Sequence, residues 1–197
     1  MDEIVRQALE KWPNVPDCYG WLALDARGMF RMRDAATQAA GTRGEIIRHT
    51  ALLSFIHRNY QKNSEGAWYF QNGPQRVYVQ LEQTPFIART DPTHGFVTHD
   101  GNALAPIQTI WITQEGRLIL GAGERIAMID DRDLAECLPK LSLGHTPVAD
   151  ADLLAWLAGA HGELQFMHAG RMLTVRRLPE QDLGNTLGFQ HNPRPQS

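Results

Sequence analysis

An α+β fold is predicted: two β-rich lobes built of antiparallel hairpins, with packed helices and a C-terminal helix–hairpin extension. Three observations predict it. The period of the apolar residues switches between 3.6 and 2 several times along the chain. Turns carrying glycine separate the period-2 runs, as at Asp25-Ala-Arg-Gly28, Asn72-Gly73, Asp100-Gly101, Glu115-Gly116 and Ala169-Gly170. Strand follows strand over long stretches with helices only at intervals, which favours α+β over an alternating parallel sheet. A hairpin leading towards a helix recurs, which is compatible with an internal duplication, but no fixed repeat marks a solenoid.

At 197 residues with 43% hydrophobic and 21% charged residues, the chain can bury a core without disulfides, as one domain or two small lobes. Its 19 basic and 22 acidic residues give a net charge of −3. A binder of nucleic acid or of an anionic membrane would need a surplus of Lys and Arg, so neither partner is expected. Cys18 and Cys137 form no CxxC pair and read as buried thiols of a reducing compartment. Met1-Asp2-Glu3 lacks the basic start of a signal peptide. No apolar run approaches the ~18 residues of a membrane span. A cytoplasmic protein is expected.

The first element, over residues 1–12, is a helix: Ile4, Val5, Ala8, Leu9 and Trp12 form one stripe, and Pro13 ends it. Residues 13–90 form the N-terminal lobe. In it, 19–24 and 29–32 make a hairpin, 34–45 lack an apolar stripe and read as a mobile loop, and 49–60 form a helix. A second hairpin joins 67–71 to 76–82. Pro74 has no N–H, so a four-residue loop, 72–75, is expected, with Gln71 paired to Arg76. Residues 91–145 form the C-terminal lobe, with strands at 96–99, 108–113, 117–120 and 125–129 after one at 86–89. A helix starts at Asp130-Asp131-Arg-Asp133, carrying Leu134, Cys137 and Leu138 inward. The extension, 146–189, has a helix N-capped by Asp150 and a hairpin, 163–168 with 171–177. The tail, 190–197, with Pro193 and Pro195, is expected to be disordered.

Several chemistries are disfavoured. Gly121-Ala-Gly123 lacks the third glycine and the following helix of a dinucleotide loop, so it reads as a turn. The eight histidines make no HxH or HExxH; His94, His99 and Asp100 could converge but fall short of a zinc ligand set. No metal or cofactor is predicted. Asp130, Asp131 and Asp133 read as helix-capping groups. Ser54 lies inside a helix with no GxSxG elbow, and no catalytic residue is assigned.

The remaining candidate is a binding face. Alternation along the second hairpin places Trp68, Phe70, Val77, Val79 and Leu81 inward. It places Tyr69, Gln71, Arg76, Tyr78, Gln80 and Glu82 on an outward polar face. The candidate ligand-binding residues are Tyr69, Arg76, Tyr78 and Glu82, joined by Arg89 and His99. Arg76 and Arg89 would hold an anionic group by paired N–H donors, and Tyr78 would stack or hydrogen-bond. The expectation is a non-enzymatic ligand-binding or signalling and regulatory protein, with its site between the lobes and a small or anionic ligand. The alternatives are an enzyme, hydrolytic or metal-dependent, and an adaptor or homodimer using apolar residues of 153–157.

A family resemblance adds to this reading. Gly20-Trp-Leu-Ala-Leu-Asp-Ala-Arg-Gly28, Ile47-Arg-His49, Gly66-Ala-Trp-Tyr-Phe-Gln-Asn-Gly73, Arg76-Val-Tyr-Val79 and Glu82-Gln-Thr-Pro-Phe86 resemble uncharacterised proteobacterial families of unknown function. The similarity covers about residues 13–140. It implies duplicated α+β lobes, the C-terminal one superficially pleckstrin-homology-like, and a cleft between them as a ligand or signalling site. It supplies no catalytic residue.

Overall fold

The period-2 runs assemble into two mixed sheets, one in each of two units of a computed structural model that describes residues 2–144 and 146–195. Met1, the tail residues 196 and 197, and His145, counted above among the histidines, lie outside the described residues. The first unit is Met1–Pro85 with Gly188–Ser197, and the second is Phe86–Leu187. The protein is α+β with two β-rich units, as its periodicity predicts.

The first unit contains α1 (Glu3–Lys11), β1 (Cys18–Leu24), β2 (Phe30–Met32), α2 (Ala35–Ala39), β3 (Glu45–Ile46), α3 (Thr50–Arg58), β4 (Tyr60–Lys62), β5 (Trp68–Asn72) and β6 (Gln75–Leu81). Its sheet runs β3-β2-β1-β6-β5-β4. The predicted hairpins are present, and Gln71 pairs with Arg76. Asn72 also pairs with Gln75, so the loop is Gly73-Pro74 alone, two residues rather than four. Gly73 takes a φ of +55°, and Pro74 sits where no ladder N–H is needed. The expected loop at 34–45 holds α2 and β3 instead. Asp34 caps α2 by accepting from Thr37 N, and none of its residues is buried, which is why no apolar stripe marks it.

The core of this unit lies where α3 packs on one sheet face. Leu22, Leu24, Phe30, Ile56, Trp68, Phe70, Val79 and Leu81 are buried there. Phe55 meets Phe70 edge-on at 5.4 Å between ring centroids. The opposite face departs from expectation. Tyr69, Tyr78 and Gln71 are buried, and Tyr69 and Tyr78 form with Ala67 a second small cluster, against which Tyr19 packs. The tail does not match its expectation either. Phe189 and Pro193 are buried, and backbone bonds from Gln190 N to Gly66 O (3.0 Å) and from Leu81 N to His191 O (2.8 Å) fasten 188–195 to the first unit.

The second unit contains β7 (Phe86–Asp91), β8 (Gly95–Thr98), β9 (Thr109–Thr113), β10 (Leu118–Ala122), β11 (Arg125–Ile129), α4 (Leu134–Cys137), β12 (Leu141–Leu143), β13 (Thr146–Pro147), α5 (Asp150–Leu157), β14 (Leu164–His168), β15 (Arg171–Leu178) and α6 (Leu183–Leu187). Its sheet runs β13-β12-β14-β15-β9-β10-β11-β7-β8. Residues expected as a separate extension therefore lie within this sheet, through the pairing of β15 with β9. That pairing, β1 with β6 and β11 with β7 are parallel, an addition to the antiparallel hairpins predicted. Turn residues report only on neighbours in sequence, whereas a parallel pair is joined by a long crossover. Ala149, not Asp150, is the N-cap of α5. Gly121 lies within β10, where a Cβ would come within 3.0 Å of the Trp111 ring, so its small size serves packing rather than the turn.

Candidate functional site

The site is built on the second face of the first sheet. β1 runs parallel to β6, but the register slips between Cys18 and Leu22. Gly20 lies in that slip with a φ of +81°, a conformation L side chains rarely adopt. The irregularity accompanies Tyr19 lying flat on Tyr78, with ring centroids 4.5 Å apart. Tyr69 tilts against Tyr78 at 5.6 Å. The Arg76 guanidinium lies 5.1 Å over the Tyr69 ring. Asn63 organises the turn before β5: its Oδ1 accepts from Glu65 N (3.0 Å) and Ala67 N (2.8 Å). Its Nδ2 donates to the Tyr78 hydroxyl at 3.5 Å.

The tail supplies the remaining wall. Besides its backbone bonds, Gln190 Nε2 donates to Glu65 O at 2.9 Å. The result is a hollow of about 550 Å³ whose lining includes Asp17, Tyr19, Glu65, Arg76, Tyr78 and Arg194. Burial, then the neighbouring Tyr78 and Asp17, pushes the Tyr19 hydroxyl up to about 12. Burial also raises the Tyr69 hydroxyl, although Arg76 acts the other way. Both rings therefore keep their hydroxyl protons at neutral pH and can donate. Arg76 stays charged: burial works against its charge, but a hydrogen bond to Tyr78 and the nearby Tyr69 outweigh it.

The six residues singled out from sequence are not brought together. Arg76 and Tyr78 line the hollow, and Tyr69 lies beneath Arg76. Glu82 lines a different hollow of the first unit, of about 330 Å³, where it accepts from Arg43 at 2.9 Å. Arg89 belongs to the second unit and is paired with Asp133, which accepts from Arg89 Nη2 (3.0 Å) and from Thr90 N (2.9 Å). Asp133 is thus an ion-pair partner rather than a helix cap. His99 also belongs to the second unit, where its Nδ1 accepts from Ile87 N at 3.2 Å. Asp100, near it in sequence, is bound to Arg125 at 2.8 Å. Among the described residues no three His, Cys, Asp or Glu side chains come together to hold a metal.

Sequence reasoning missed Asp17, Tyr19, Asn63, Glu65, Gln190 and Arg194. Two signals pointed to some of them: a glycine inside a strand, which marks irregular pairing, and the Asn63-Ser-Glu-Gly66 turn. Nothing local marks the tail residues.

A family model, DUF2944, described as "Protein of unknown function (DUF2946)", matches residues 1–194. No curated protein matches the chain. Among solved structures, that of a DUF1285 family protein from Silicibacter pomeroyi DSS-3 is similar, with a TM-score of 0.51 and 16% identity. The match covers 89% of this chain and 96% of that one. At this identity the likeness is one of fold alone.

Proposed function

Because the chain belongs to the DUF2944 family, whose function is unknown, its role has to be read from its own geometry, and we propose that it is a non-enzymatic binding or regulatory protein whose first unit takes a small ligand bearing an anionic group. The observation that carries this reading is the Arg76 guanidinium, lodged over the buried Tyr69 ring at a hollow of about 550 Å³. That volume suits a small molecule. No carboxylate forms an ion pair with Arg76 among the described residues, so beyond its hydrogen bond to Tyr78 the guanidinium has N–H donors to offer an incoming anion. Arg194 on the same wall takes the part that sequence reasoning gave to Arg89. Asp17 and Glu65 favour a ligand that also carries hydrogen-bond donors.

Thermal-shift screening and calorimetry with small carboxylates and phosphates test the reading. An anion that stabilises the protein should bind about tenfold more weakly to Arg76→Ala and to Arg194→Ala. A protein that answers to none of them, or variants that bind as well as the parent, would overturn it.

A further inference from the structure

The second unit contains a hollow of about 540 Å³ whose lining carries four basic or imidazole side chains, His94, Lys140, His168 and Arg171, and no carboxylate. The rest of the lining is largely apolar, with Ile107, Met167 and Leu173. Two of these side chains lie against Phe96, which is fully buried. The Lys140 ammonium lies 5.1 Å from the Phe96 ring centroid, and the His168 ring lies 5.5 Å from it. His168 and Arg171 face each other across the β14–β15 ladder, closed by Ala169 and Gly170 in the left-handed region. Gly95 makes room for the imidazole: a Cβ there would come within 3.1 Å of His168 Cε1.

Neither Lys140 nor Arg171 forms an ion pair among the described residues. Asp91 approaches His94 Nδ1 at 3.7 Å but does not line the hollow. Burial and Lys140 both hold the His168 ring below the usual histidine range, so at neutral pH it is a neutral hydrogen-bonding group and the charge comes from Lys140 and Arg171. Two cations without an ion-pair partner, beside apolar side chains, match an amphipathic anion, whose head can accept from both while its body covers the apolar wall.

We propose that this hollow binds an organic anion with one carboxylate or phosphate head and a short apolar body, the head on Lys140 and Arg171 and the body on Ile107, Met167 and Leu173. The proposal is independent of the one made for the first unit. Calorimetry on the full chain would compare hexanoate and hexyl phosphate with hexan-1-ol and acetate. Binding of hexanoate or hexyl phosphate should exceed that of hexan-1-ol and acetate by at least about tenfold. It should fall about tenfold in Arg171→Gln and in Lys140→Gln. Arg171 is exposed at a hairpin end, so its variant should fold even if Lys140→Gln does not. The two charged probes separate a carboxylate from a phosphate ligand. Equal binding of hexan-1-ol, no binding of either charged probe, or binding that survives Arg171→Gln would each overturn the proposal.

Discussion

Tyr19 and Tyr78 lie face to face, their planes only 5° from parallel, although β1 and β6 are out of register between Cys18 and Leu22. An irregular strand thus does what an ideal one would not: it sets an aromatic ring on a neighbouring ring rather than beside it. The stack is the inner wall of the first unit's hollow, so its energetics bear on both stability and binding.

The two rings should be energetically coupled. Tyr78→Ala should cost about 3–5 kcal/mol, because it opens a void in a buried cluster. In a double-mutant cycle with Tyr19→Ala, the coupling should be about 0.5–1.5 kcal/mol. Urea unfolding of the four proteins measures it, and strict additivity would mean that the stack contributes nothing beyond buried area.

Alkaline pH should weaken the fold through Tyr19. Its hydroxyl ionises near 10 in an unfolded chain and near 12 in the folded one. The folded state therefore holds the proton more tightly, its contribution is intact below pH about 10, and stability falls as pH rises from there towards 12. Tyr19→Phe should flatten this slope in denaturation curves taken between those values, and an unchanged slope would assign it to another group.

Acid should act on the second unit through Asp100. Burial raises its carboxyl, but hydrogen bonds from Thr98, Arg125 and Asn102 outweigh it and bring it to about 2. A depressed carboxylate stabilises the fold above its ordinary range, and that contribution is lost as pH falls from about 4 towards 2. Asp100→Asn should be less stable at neutral pH and lose less on acidification, as measured by circular dichroism across pH 2–5.

Gly66 should control the docking of 188–195. It takes a φ of +83°, and a Cβ there would come within 2.7 Å of Gly188 O, a backbone atom that cannot rotate away. Gly66→Ala should cost about 1–3 kcal/mol and expose the segment. Limited proteolysis followed by mass spectrometry should show faster cutting after Phe189 than in the parent, while cutting within residues 86–187 stays unchanged.

What the sequence disclosed and what it withheld divide along one line. Hairpins and even a register, Gln71 with Arg76, could be read because alternation and turn residues act locally. The two faces of β5 and β6 were also separated correctly by alternation, since Trp68 and Phe70 pack on the α3 side. Alternation cannot say whether a polar-looking face is covered. Tyr69 and Tyr78 are buried in a cluster against which Tyr19 packs, and a chain segment more than a hundred residues away walls the hollow that Tyr78 lines. Arg89 was misassigned for the same reason: its partner, Asp133, is 44 residues further on, on another element. The hollow in the second unit had no sequence signature, because its cations come from separate turns that only the sheet order brings together.

The return of residues 188–195 to the first unit also sets a timetable. A nascent chain leaves the ribosome from its N-terminus, so all of residues 86–187 must be synthesised before Gln190 can reach Gly66. Until then, the hollow that Tyr19 and Tyr78 line lacks the wall that Gln190 and Arg194 supply. The hollow, although most of its lining precedes residue 86, is closed only after the whole of the second unit has been made.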